Sequence, residues 1–129
     1  MDDYLDRFAK AGRGLGLPPV RVAEVEGRDE AALLARAIPE GAVVVGLDER
    51  GALLSSPDLA GRLGGWRDEA RDVAFVIGGA DGLGGVRARA DLLVSFGPMV
   101  WPHLLARVML AEQLYRAATI LAGGPYHRA

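Results

Sequence analysis

The 129-residue sequence contains no cysteine, which excludes disulfides and thiolate metal sites and fits a reducing compartment such as the cytoplasm. It has little net charge, −2 at neutral pH, so nothing pulls the whole chain toward nucleic acid. An RNA- or DNA-binding surface would have to be a local basic patch, completed if need be by a second subunit. Histidine is scarce: His103 and His127 have no partner at i+4, and zinc would need carboxylates to complete its shell, so no metal is expected. No apolar run approaches the length of about 20 residues that a membrane-spanning helix needs. The start, MDDYLDRF, is acidic and amphipathic, without the basic-then-apolar layout of a signal peptide, and a soluble protein is expected.

What is abundant is apolar side chains, half of all residues, and glycine, with 18 copies and no collagen-like period. A chain of this length is expected to form one domain, residues 1–129, with tight turns or close backbone approaches at the glycines. Helical spacing of Leu5, Phe8 and Ala9 predicts a helix over Asp2–Ala11, broken by GRGLGLPP. Valine enrichment predicts a short strand over Val20–Val25. A helix over Asp29–Ile38 is capped by Asp29 and stopped by Pro39. Ala42–Leu47 and Val73–Ile77 are continuous apolar runs, as strands buried on both faces of a parallel sheet read, and Asp48 is expected to end the first. Ser56 and Pro57 open a helix with Leu59, Leu63 and Trp66 on one face. A short helical stretch over Val86–Ala90 leads into a strand at Leu92–Phe96, and one long helix runs from Pro102 to about Ala122. Strands alternating with helices predict an α/β fold with a mostly parallel sheet and helices on both faces. Ligands of such sheets sit at the carboxyl ends of the strands, here the loops LDERG, GGADGLGG and GPMVWPH.

The glycine loop Val76–Gly85 is neither a dinucleotide fingerprint nor a Walker loop: Gly78 and Gly79 are adjacent, an acid, Asp81, sits in the turn, and no Lys-Ser or Lys-Thr follows. An aspartate there would repel phosphate and suits a neutral or cationic ligand, although a generic turn explains the loop equally well. Ser55 and Ser56 lie in a capping context, Ser95 reads as a strand residue, and His103 as a capping or packed histidine; no catalytic triad can be assembled. The long helix is apolar around most of its circumference, with Glu112, Gln113, Arg116 and Thr119 as its polar stripe. It is therefore central to the monomer or covered by a partner chain, with Arg107 either a buried paired cation or an interface charge. The chain ends in GGPYHRA, whose tyrosine, histidine and arginine suit stacking on a base and contacting phosphate.

Taken in order, VVVGLDERG, FVIGGADGLG, WPHLLARVMLAEQLYRA and the terminal PYHRA resemble the RlmH family of SPOUT methyltransferases, from about Leu5 to the end and most specifically in the last half. The resemblance implies a C-terminal trefoil knot, a homodimer in the cytoplasm, and transfer of a methyl group from S-adenosylmethionine to N3 of a pseudouridine in large-subunit ribosomal RNA. The partner would be that RNA within the ribosome, with neither DNA nor membrane involved. Carried over by position, Leu47, Gly78, Phe96, Gly97, Pro98, Met99, Val100 and Trp101 would line the cofactor pocket. Tyr126, His127 and Arg128 would face the RNA as the catalytic group, across the dimer interface. His127 is the candidate to take the N3 proton or stabilise the anion, and Arg116 is a candidate RNA contact or a solvated helix residue.

Two departures stand out. The family's GGPEG is Gly78-Gly79-Ala80-Asp81-Gly82 here, which keeps the acid and loses the proline. The family also opens with an apolar strand and a glycine-containing turn before the helix that here starts at Asp2. Without that strand, sheet edges would be expected to be exposed. A dimeric RNA-binding protein of the same fold without turnover, and a small-molecule nucleotide-binding enzyme, are the competing readings.

Overall fold

The computed structural model of the chain describes residues 1–79 and 82–128. Ala80 and the Asp81 singled out above lie outside the described residues. Eight elements follow in order: α1 (Asp2–Gly12), α2 (Glu30–Ala37), β1 (Val43–Ala52), α3 (Ser56–Asp68), β2 (Val73–Ile77), α4 (Val86–Arg89), β3 (Leu92–Val94) and α5 (His103–Ala122). They fall into two compact units. One comprises Met1–Arg21, Leu54–Glu69 and Leu104–Ala129; the other comprises Val22–Leu53 and Ala70–His103.

The second unit is the α/β part, a three-stranded parallel sheet in the order β2-β1-β3. The fully apolar runs become its strands, as their lack of alternation predicts. Residues Val43 to Leu47 pair with Val73 to Ile77, and Val45 to Leu47 pair with Leu92 to Val94. Val44 and Val76 face a cluster with Leu83 and Val86, packed against Leu34, Ala35 and Ile38 of the α2 region and Ala90 and Leu93. Gly46 belongs to this face. A Cβ there would come within 2.7 Å of a Leu83 methyl and 3.0 Å of a Leu93 methyl, so its missing side chain is the space those leucines fill. Val45, on the opposite face of β1, and Val86 are completely buried, and each contributes roughly 1.5–3 kcal/mol of apolar burial.

The helical unit is built on α5. Leu110, Ala111, Leu114, Ala117 and Ala118 are buried, so this stretch of the helix is central to its own unit. Its polar stripe is not a solvated face. The Ser56 hydroxyl donates to Gln113 Oε1 at 2.7 Å, tying α3 to α5, and the buried Thr119 hydroxyl donates to the Arg116 carbonyl at 2.7 Å. Tyr115 stacks near Tyr4 of α1, with ring centroids 6.4 Å apart and the Arg7 guanidinium 5.9 Å from the Tyr115 ring. No helix among the described residues is long and apolar enough to cross a membrane.

The structure differs from the sequence expectations in four places. Val20–Val25 forms no strand: Val20 and Val22 are exposed, and a short valine-rich run without a neighbouring strand has nothing to pair with. Asp48 does not end β1. The strand bends after Leu47 and returns to β3 at Ala52, with both Leu47 and Ala52 opposite Val94. The cap of α3 is Ser55 rather than Ser56: its hydroxyl accepts from Asp58 N–H at 3.1 Å while Asp58 accepts from Ser55 N–H at 3.2 Å, a reciprocal capping box. Finally, β3 stops at Val94 and leaves Ser95 and Phe96 to the loop.

Candidate functional site

The residues expected at the cofactor all lie in the sheet unit, and the strand register explains their convergence. Leu47 is paired with Ile77 on one side and Val94 on the other. Gly78 follows the first of these neighbours directly, and the Phe96-to-Trp101 loop starts two residues after the second. Leu47, where the continuous parallel pairing of β1 ends, Gly78 after β2 and the loop after β3 thus lie at one end of the sheet, the end at which α/β sheets bind ligands.

Ser95 organises this corner. It is buried, its backbone N–H donates to the Ala52 carbonyl at 2.9 Å, and its hydroxyl accepts from Gly97 N–H at 2.9 Å. The single hydroxyl proton has two carbonyls to serve, Glu49 at 3.0 Å and Gly97 at 2.9 Å. The side chain therefore ties the return of β1 to the start of the loop. Gly97 takes φ +108°, a region closed to other residues without strain, and turns the chain outward. Beyond it Pro98 is exposed, and Met99, Val100 and Trp101 present 68 %, 80 % and 38 % of their surface to solvent, a run of exposed apolar side chains.

The glycine loop, which as a sequence suited a turn or a ligand equally, is in large part a packing device. A Cβ at Gly78 would run into the backbone carbonyl of Gly82, one at Gly79 into the Glu30 carboxylate, and one at Gly84 would lie 2.5 Å from Ala31 Cβ. Gly82 N–H closes the turn onto the Gly79 carbonyl at 3.0 Å. These glycines let the loop fold on itself and against the start of α2.

Electrostatically the corner is quiet. Leu47, Gly78 and Phe96 to Trp101 carry no charge. The neighbouring Asp48 is held below the usual carboxylate range, first by the Arg50 backbone N–H at 2.8 Å and then by the Arg87 guanidinium at 2.8 Å. No cluster of histidine and carboxylate ligands suited to a metal occurs among the described residues.

The second group, in the helical unit, is made of side chains. Arg116 uses its fork fully. Nε and Nη2 grip Glu112 Oε1 at 2.8 and 2.6 Å, one turn back on α5, and Nη1 faces His127 Nδ1 at 3.2 Å. Its Cζ lies 4.8 Å from the centroid of the Tyr126 ring, and the Tyr126 hydroxyl donates to Glu112 Oε1 at 3.3 Å. Tyr126 also sits edge-on to Tyr115, with centroids 4.7 Å apart. The bond to Glu112 raises the Arg116 pKa, and burial, followed by the charge of Glu112, raises that of Tyr126. The tail is thus folded back onto α5 through Tyr126 and His127, both half-buried, while Arg128 is exposed. Arg116, read from sequence as an RNA contact or a solvated helix residue, anchors the tail and is not a freely solvated side chain. Arg107 is half-buried, and His103, the first residue of α5, is exposed.

Glu112 and Ser95, which hold these two groups together, are not among the site residues the sequence points to. Glu112 had a signal, its i,i+4 spacing to Arg116. Ser95 had none beyond its place after an apolar strand.

A three-stranded parallel sheet with loops from neighbouring strands converging at one end defines an α/β protein. The chain belongs to the SPOUT methyltransferase family: the model described as "Predicted SPOUT methyltransferase" matches residues 16–127. It is similar to proteins named "Ribosomal RNA large subunit methyltransferase H". The one from Paracoccus denitrificans is 71% identical, with 98% of this chain and 86% of that protein covered. Those from Roseobacter denitrificans and Ruegeria pomeroyi are 65% and 64% identical, covering 98% and 99% of this chain and 86% and 87% of theirs.

Proposed function

We propose that this protein is a homodimeric methyltransferase that transfers a methyl group from S-adenosylmethionine to N3 of a pseudouridine in large-subunit ribosomal RNA, in the cytoplasm and on the ribosome. The single observation that carries the reading is the convergence of Leu47, Gly78 and Phe96 to Trp101 at one end of the parallel sheet. Relatives up to 71% identical are named for ribosomal RNA methylation, which supports the substrate class.

The residues fit the cofactor by the chemistry of their groups. Backbone N–H and C=O groups at strand ends match the edges of adenine, and the apolar side chains of Leu47, Phe96 and Met99 match its faces. The named lining residues carry no cation, and the nearby Arg87 and Arg50 are paired with Asp48, so a sulfonium is tolerated there. When bound, S-adenosylmethionine supplies an electrophilic methyl group on a positively charged sulfur. The chain's part is to hold the base in line with that methyl and to exclude wrong poses, the entropic share of catalysis. The N3–H proton of the base, weakly acidic, leaves to solvent water or a nearby base. The bound cofactor would supply the methyl carbon for the new N–C bond, the C–S electron pair staying with sulfur, while Leu47, Gly78 and Phe96 to Trp101 would hold it.

In this reading Tyr126, His127 and Arg128 form the RNA-contacting group, with Tyr126 and His127 presented by α5 and the exposed Arg128 available to phosphate. The exposed apolar Met99, Val100 and Leu104 supply surface for the second subunit, and a trefoil knot at the carboxyl end of the fold completes the pocket. The test is methyl transfer from radiolabelled cofactor to ribosomes purified from cells lacking this modification. Incorporation at one pseudouridine is expected. Binding of ribosomes without incorporation would overturn the enzymatic reading in favour of a binding protein.

A further inference from the structure

We infer that Arg116 fixes the ring of His127 as its Nε2–H tautomer, so that His127 acts as a hydrogen-bond donor to a carbonyl oxygen beside N3 of the target base and not as the base that removes the N3 proton. A guanidinium can only donate hydrogen bonds. Arginine carries five N–H donors and no acceptor. Its Nη1 lies 3.2 Å from His127 Nδ1, so Nδ1 must present its lone pair, and the ring proton is then on Nε2.

The arrangement is rigid enough to enforce this. Nε and Nη2 of Arg116 are committed to Glu112, and the Tyr126 ring lies over the guanidinium plane. The guanidinium cannot turn away without breaking a charge-assisted pair, and it stays protonated because Glu112 raises its pKa further. With Nδ1 occupied, the only group His127 can offer a ligand is a donor.

Resting on the proposed methylation of pseudouridine N3, the inference assigns that donor a role. N3 lies between two ring carbonyls, and when it loses its proton the charge spreads onto both oxygens. An Nε2–H directed at either oxygen grows stronger as the charge develops, the differential binding that lowers a barrier. The N3 proton itself goes to solvent water, and His127 gains and loses none. Arg116 is a positioning residue, acting through His127.

The test combines a spectrum that needs no substrate with a kinetic comparison. His103→Gln leaves His127 as the only histidine, and long-range nitrogen–proton correlation of that protein reads its tautomer directly. The expected pattern is a protonated Nε2 and a pyridine-like Nδ1, changing to a tautomer mixture in Arg116→Met and restored at least in part by Arg116→Lys. In ribosome methylation, His127→Gln keeps an N–H donor but has no basic nitrogen, and should retain kcat within about tenfold of the parent, whereas His127→Ala should lose on the order of 10²–10³ in kcat with little change in KM. An Nδ1–H tautomer in the parent protein, or His127→Gln falling as far as His127→Ala, would overturn the inference. A parent chain that methylates no ribosomes would sink the proposed function, while the spectrum would still decide the claim about Arg116 and His127.

Discussion

The two units hold their candidate sites in opposite ways. In the sheet unit the site is made of backbone: strand ends brought level by register, a glycine at φ +108°, and one buried hydroxyl tying two segments together. In the helical unit it is made of side chains: a carboxylate, a guanidinium, two aromatic rings and an imidazole stacked along one turn of α5 and the tail. Backbone sites tolerate changes of side chain but not of Cβ volume. Side-chain sites tolerate small packing changes but not the loss of one charge. The two should therefore respond to different mutations, and each can be broken without the other.

The largest effect is expected from Gly78→Ala. The added Cβ meets the Gly82 carbonyl, a backbone group that cannot yield, and the overpacking should cost about 2–3 kcal/mol. Denaturant unfolding should show the loss, and calorimetry should show weakened cofactor binding, with the tail unaffected. Glu112→Ala breaks the other site. It leaves the Arg116 guanidinium, 24 % exposed, without its anion and removes the acceptor of the Tyr126 hydroxyl. A loss of roughly 1.5–2 kcal/mol is expected, along with faster proteolysis of the tail and unchanged affinity for S-adenosylhomocysteine.

Smaller effects sharpen the contrast. Ser95→Ala leaves Gly97 N–H and the Glu49 carbonyl without their partner and should cost about 1 kcal/mol while loosening the cofactor loop, read as a faster dissociation rate of the ligand. Ser55→Ala removes the α3 capping box and should cost about 1 kcal/mol with both sites intact, a control for stability without function. The smallest is a pH effect. The folded-state pKa of Asp48 lies below its ordinary value of about 3.9, so its contribution is complete above that value and disappears as pH falls through the folded one. Asp48→Asn should lower stability slightly at neutral pH and leave it little changed below the folded pKa, which flattens the acid limb of the stability curve.

The same contrast explains what the sequence made legible. Strands in a parallel sheet are announced by apolar runs, so β1 and β2 and the loops after them could be placed from Val43 to Leu47 and Val73 to Ile77 alone. Val20–Val25 misled because valine content reports a preference for strands and says nothing about a neighbour to pair with. The return of β1 at Ala52 was hidden because a strand's second partner segment is a property of topology, not of local pattern. The tail could be recognised as a motif, yet what holds it could not: the Glu112–Arg116 spacing is common on solvated helices, and only the fold shows that the third guanidinium nitrogen meets His127. The glycine loop was ambiguous because close packing and ligand approach both demand a missing Cβ, and in part it is the former.

The most direct test of the central claim, a nucleoside cofactor site built from strand-end backbone, is a calorimetric titration of S-adenosylhomocysteine into the purified chain with a thermal melt alongside. Saturable binding to a single site per chain is predicted, with stabilisation of about 2.7 kcal/mol at 100 times the dissociation constant. A folded protein that gives no binding heat and no shift in its melting temperature would contradict it.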